Sequence, residues 1–168
     1  MGSHPYYYFT PYQPDIATTL DTLRQQEFEA GRYNPVMPFP FDPELNEEVK
    51  TLYPSSDSYP SIEAALEAAD ADGTRSILDI AQVSEEPALC ATCSVSPDLL
   101  LSMFGTDKPA RKMIEAVILQ EQALPDADED FDIYEDFIDT IGRGECRHII
   151  CYEDDEPVEV FFMGYSFD

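Results

Sequence analysis

Five side chains carry chemistry at a spacing that invites a test: Cys90-Ala91-Thr92-Cys93, then Cys146, His148 and Cys151. A structural zinc ion takes converging thiolate and imidazole ligands, commonly as two closely spaced pairs. The first pair has a fitting separation, whereas the second has four residues between its cysteines and does not. Strand geometry weakens both. In a strand over 146–152, Cys146 and His148 point to one face and Cys151 to the other, and positions 90 and 93 differ by an odd number. A thioredoxin-like pair needs its first cysteine at a helix N-terminus, where the dipole stabilises the thiolate. Here the nearest helix start is Pro97, downstream of Cys93. Buried cysteines acting as small hydrophobes explain the same residues. Zinc binding or thiol redox chemistry through Cys90 and Cys93, with Cys146, His148 or Cys151, is therefore the alternative expectation, and no cofactor is the first.

Other catalytic signatures are weaker still. Apart from His4, only His148 offers an imidazole base, and no G-x-S-x-G elbow accompanies it. None of the seven glycines forms a phosphate-binding loop. Carboxylate pairs are so numerous that none is singled out as an acid–base couple. A non-enzymatic protein is expected.

The second conspicuous pattern is PDADEDFDIYEDFID, Pro125 to Asp139, with eight carboxylates in the fourteen residues from Asp126. Read as a calcium loop from Asp128, it puts Asp128, Asp130, Asp132, Asp136 and Asp139 at ligand positions. Ile133 then occupies the place where the loop turns on glycine, and Asp139 is shorter than the usual bidentate glutamate. A helix explains more residues. Phe131, Tyr134, Ile138 and Ile141 step by three, four and three, which makes one apolar stripe with the acids outside. Gly142 and Gly144 stand where such a helix stops.

The whole chain is acidic, with 35 acids against 9 bases and a net charge of −26. Residues 125–168 hold 15 of those acids and only two bases. Such a field repels phosphate backbones and anionic membranes. It attracts basic proteins and speeds encounter with them. The leading expectation is an acidic binding protein of inhibitor or immunity type, or a nucleic-acid mimic, whose partner is a basic protein. Asp128, Asp130, Asp132, Glu135, Asp136 and Asp139 would stand in for phosphates, with Asp154 and Asp155 as a second patch. The competing expectation is a merely solvated acidic surface, spread over the molecule for solubility or salt tolerance.

The elements that must position these residues follow from pattern. Met1–His4 reads as a remnant of cloning, and residues 5–168 as one α+β domain. An aromatic strand over Tyr6–Thr10 precedes a helix capped by Asp15 and stopped at Gly31. Residues 34–60 read as a proline-rich surface loop with one short helix near Glu44–Leu52, pinned by Phe39, Phe41 and Tyr53. Its two P-x-x-P matches, at Pro35–Pro38 and Pro40–Pro43, hold apolar residues suited to packing rather than display. Ser61 caps a helix ending near Gly73; TRSILDIAQV and PALCATCSV read as strands; Ser96-Pro97-Asp98 starts a helix through Phe104. A longer helix is expected over Lys108–Ala123.

CRHIICY and VEVFFMGYSF form a C-terminal β-hairpin through EDDEP. A mixed or antiparallel sheet packed against four to five helices results. The hairpin edge Val158–Phe162 offers a pairing surface for a homodimer. No apolar run approaches the roughly 20 residues of a membrane span, and no signal peptide is visible, so a cytoplasmic protein is expected.

Overall fold

The alternation of residues 156–165 organises the molecule. A strand buried on both faces needs apolar side chains at successive positions rather than every second one. Val160-Phe161-Phe162-Met163 supplies them, and all four are fully buried in the computed structural model, which describes residues 3–37, 59–119 and 131–168. Strand β5 (Glu156–Tyr165) pairs antiparallel with β4 (Cys146–Glu153). The turn between them is Asp154-Asp155, with φ of 50° and 64°. Both residues are left-handed, as a tight hairpin turn requires, and aspartate tolerates that region better than most side chains.

On its other side β5 carries β1 (Pro5–Pro11), antiparallel from Pro5↔Tyr165 to Pro11↔Glu159. Beyond β4 lie β3 (Ala91–Ser94) and β2 (Gln82–Val83), both parallel to their neighbours. Among the described residues the sheet therefore has the order β1-β5-β4-β3-β2. This is a mixed five-stranded α+β sheet.

Each face has its own core. One is covered by α1 (Ile16–Ala30), whose Leu20 and Leu23 pack with Ile77 and Ile80 on Tyr6, Cys146, Val160 and Phe162. A smaller cluster of Tyr33, Ala65 and Leu78 joins α2 (Ile62–Ala69) to it. The opposite face is covered by α3 (Pro97–Phe104), α4 (Arg111–Ile114, running into a π-helical turn over Glu115–Leu119) and α5 (Phe131–Ile138). Leu100, Met103, Ile114, Ile118 and Phe137 there meet Ile149, Cys151, Phe161 and Met163. The helix caps read from sequence are present: Asp15 accepts from the Thr18 amide, Ser61 from Ala64 and Ser96 from Leu99. None of the described helices is long and apolar enough to cross a membrane.

Several elements differ from expectation. TRSILDIAQV is a 3-10 turn over Ile77–Asp79 followed by the two-residue β2. The Ser76 hydroxyl accepts from Leu78, and Asp79 accepts from both the amide and hydroxyl of Thr74. These local bonds compete with a strand ladder. The helix expected from Lys108 begins only at Arg111, after Ala110, which is extended at φ −79° and ψ 155°. The helix expected over Phe131–Ile141 ends at Ile138.

Val158–Phe162 is no free edge, since β5 is already paired with β1 from Thr10↔Val160 to Tyr8↔Phe162 and Tyr12 donates to the Val158 carbonyl. A homodimer through that segment is thereby corrected. Met37, in the first P-x-x-P match, is buried. The short helix near Glu44–Leu52, its anchors Phe39, Phe41 and Tyr53, and the second P-x-x-P match lie outside the described residues.

Gly164 is required by close approach. A Cβ there would lie 2.6 Å from Tyr6 Oη and 2.8 Å from the Glu145 carbonyl oxygen. Gly105, which has φ of 69°, meets nothing within 4 Å. Gly164→Ala is expected to cost about 1–3 kcal/mol through overpacking, and Gly105→Ala roughly 1 kcal/mol through left-handed strain alone. Urea unfolding midpoints of the two variants check the order.

Candidate functional site

The cysteines and histidine singled out by spacing are divided by the sheet. Cys146 belongs to the α1 face and Cys151 to the α3–α5 face. His148 shares Cys146's face, with its Nδ1 3.0 Å from Thr92 Oγ1 and its ring against Phe162. Cys93 is buried, while Cys90 is partly exposed at φ of 57°. All four thiols are free. Among the described residues, no three His, Cys, Asp or Glu side chains come together to hold a metal ion.

Burial pushes Cys146 up to about 12 and, joined by the Glu159 charge, Cys151 up to about 12. Burial also raises Cys90 and Cys93. Protonated thiols are poor nucleophiles and poor ligands. Burial lowers His148 to about 4, so its imidazole is neutral at physiological pH.

A buried polar pair went unread in the sequence. Asp79 is 4% exposed and Tyr6 8%. Asp79 Oδ2 and Tyr6 Oη have no hydrogen-bond partner among the described residues. Burial raises both groups, and the Asp79 charge raises Tyr6 further. Gly73 closes on Asp79 Oδ2 and Gly164 on Tyr6 Oη, where a Cβ would stand at 2.8 and 2.6 Å. The pair is packed against backbone and serves the core. Sequence reasoning missed it because Asp79 lay in a presumed strand.

The acids expected to bind a partner are placed on two surfaces. Glu135, Asp136 and Asp139 are exposed on and just after α5, around the buried Phe137. Asp132 occupies the same helix one turn earlier, and Asp128 and Asp130 lie outside the described residues. Burial raises the Tyr165 phenol to about 12, with lesser contributions from Tyr134 and the Asp139 charge, at the end of the sheet where β4 begins. Asp154 and Asp155 form the hairpin turn at the other end. Seven residue steps of strand separate the two ends, ~23 Å at the usual rise.

Asp155 is paired with Lys108 at 3.4 Å. Among the described residues, Glu135, Asp136 and Asp139 enter no ion pair within 4 Å. Exposed acids also occur on α1, α2 and the 84–87 loop, and four stand consecutively at the hairpin turn, Glu153–Glu156, so acidity is general among the described residues.

A cavity of about 370 Å³ opens beside that row, lined by Glu85, Glu86, Cys93, Ser94, Thr140 and Arg147 among others. Arg147 is 3% exposed. Its guanidinium donates to the Thr140 and Cys146 carbonyls and to Glu145 Oε2 at 2.8 Å. The wall of the cavity is strand β3, which β2 covers only as far as Thr92. Ser84 donates to the Thr92 carbonyl, and the chain then turns away at Glu85-Glu86-Pro87. Thr92 directs its carbonyl toward β2, whereas Val95 donates to His148 in β4. Alternation along a parallel strand thus turns the Ser94 amide and carbonyl, and the Ser96 amide, toward the open side. None of the three has a hydrogen-bond partner there among the described residues.

No family model, curated relative or solved structure matches this chain.

Two outcomes follow from the buried groups. A histidine whose folded pKa is depressed favours the unfolded state on protonation, so its contribution is intact above pH 6.5 and lost as pH falls toward 4. Urea stability should decline across that window, and His148→Gln should flatten the decline. With a thiol reagent under native conditions, Cys90 should react first, and Cys93, Cys146 and Cys151 only on unfolding.

Proposed function

We propose that this domain works by binding a basic protein partner through the outer face of α5, without catalysing a reaction. The observation that carries the reading is the row Glu135, Asp136 and Asp139: exposed, held outward by buried Phe137, and in no ion pair among the described residues. Like charges one helical turn apart destabilise a helix by roughly 0.2–0.5 kcal/mol per pair. The arrangement therefore costs stability, which a cationic partner would offset.

Spaced carboxylates on a rigid helix can occupy a phosphate-binding surface on a nuclease or other nucleic-acid-binding protein, which suits an inhibitor or immunity role. Asp132 would extend the row by one turn, and Asp128 and Asp130 are proposed as further contacts. Asp154 and Asp155, at the other end of the sheet, would be a separate contact. The buried thiols and neutral His148 leave the interior to stability.

The test is capture of proteins from lysate by the immobilised domain at low salt. A basic protein should be retained, released by high salt, and bound roughly tenfold or more weakly by Glu135→Gln/Asp136→Asn/Asp139→Asn. That variant removes repulsion within α5, so it should fold at least as stably. Retention of no basic protein, or equal retention by the variant, contradicts the reading.

A further inference from the structure

We infer that the open edge of β3 receives an extended peptide segment bearing a lysine or arginine, which adds a strand beside Ser94 and Ser96 and sets its basic side chain against Glu85 and Glu86. The inference rests on the reading of the domain as a binder of basic proteins and gives that partner a local shape.

Three observations meet at this place. The first is the uncovered edge. β2 ends at Val83, and the Ser94 amide, Ser94 carbonyl and Ser96 amide face the cavity without a backbone partner among the described residues. Ser96 is still extended, at φ −63° and ψ 146°, so the three groups lie along one continuous strand path. Unpaired strand edges are templates for an added strand. The second is the space, about 370 Å³ beside that edge, walled by apolar Pro87, Val95 and Leu99.

The third is charge. Glu85 and Glu86 are exposed at the cavity and in no ion pair among the described residues, while the Ser84 hydroxyl donates to the Glu86 carbonyl and holds their loop. Arg147 in the same cavity does not oppose a cation, because Glu145 neutralises it and two carbonyls take its other donors. Thr140, next to Asp139, also lines the cavity. A partner seated on the α5 acids thus has the edge within reach.

The experiment is fluorescence anisotropy of the full chain with a capped synthetic peptide of alternating valine and lysine. Controls are the same peptide N-methylated at alternate residues and a valine–glutamate counterpart. Saturable binding of the lysine peptide, weakened by salt, is expected. N-methylation should lower affinity at least tenfold, and the glutamate peptide should not bind. Ser94→Pro should have the effect of N-methylation, since it deletes an outward amide where an edge strand tolerates proline. Glu85→Gln/Glu86→Gln should weaken binding severalfold.

Equal binding of the N-methylated peptide overturns strand addition even if Ser94→Pro fails to fold. Absence of lysine-peptide binding overturns the edge site. If lysate capture still depends on Glu135, Asp136 and Asp139, the α5 reading survives that failure; if capture also fails, both fall.

Discussion

Phe161 and Phe162 are neighbours in the chain and are buried in different cores. Successive side chains of a strand point to opposite faces, so two fully buried aromatics side by side require helices on both sides of the sheet. That constraint organises the rest of the fold. It places β5 in the interior of the sheet, flanked by β1 and β4, with Phe9 against Phe161 at 4.9 Å between ring centroids. It also gives α1 and the α3–α5 layer their separate footings. Removing either ring would leave a cavity costing about 3–5 kcal/mol, a large part of the stability of a domain this size.

A sheet sealed on both faces has consequences for chemistry. Cys146 and Cys151 are split between the two cores, His148 is buried against Thr92 and Phe162, and Cys93 is buried in the wall of the cavity. Desolvation keeps the thiols protonated, the form that neither attacks nor ligates well, and keeps the imidazole neutral. Interaction is left to what the cores do not consume, namely outer helix faces and sheet edges. Besides the Glu153–Glu156 turn and the outer edge of β1, these include the α5 acids and the uncovered length of β3, and the last two adjoin at Thr140.

Much of this was legible in the sequence because its signals are local. Asp15, Ser61 and Ser96 cap their helices through side-chain oxygens three residues upstream of the amides they accept from, a relation visible without tertiary structure. The hairpin shows as two strand-like apolar and aromatic runs around an acidic turn, and α5 as a stripe of period 3.6, although that stripe left out Phe137, the residue of the helix that is fully buried. Part of what escaped depended on long-range pairing. The addition of β1 to β5 joins residues 148 to 160 positions apart and turned a presumed edge into an interior strand. Asp79 looked like part of a strand because its partners, Thr74 and Ser76, are ordinary loop residues whose bonds form only once the turn closes. The separation of the two acidic patches is set by the length of β4 and β5. The open edge of β3 arises because β2 is only two residues long, and no composition rule fixes that.

Native-state hydrogen exchange resolved by residue tests most directly the claim that β3 carries an open edge beside a sealed core. The account predicts amides of β4 and β5 exchanging only with global unfolding, Val95 protected by its bond to His148, and Ser94 exchanging rapidly between protected neighbours. Addition of a basic strand-forming peptide should then protect Ser94. A Ser94 amide as slow as that of Val95 in the free protein would contradict the account.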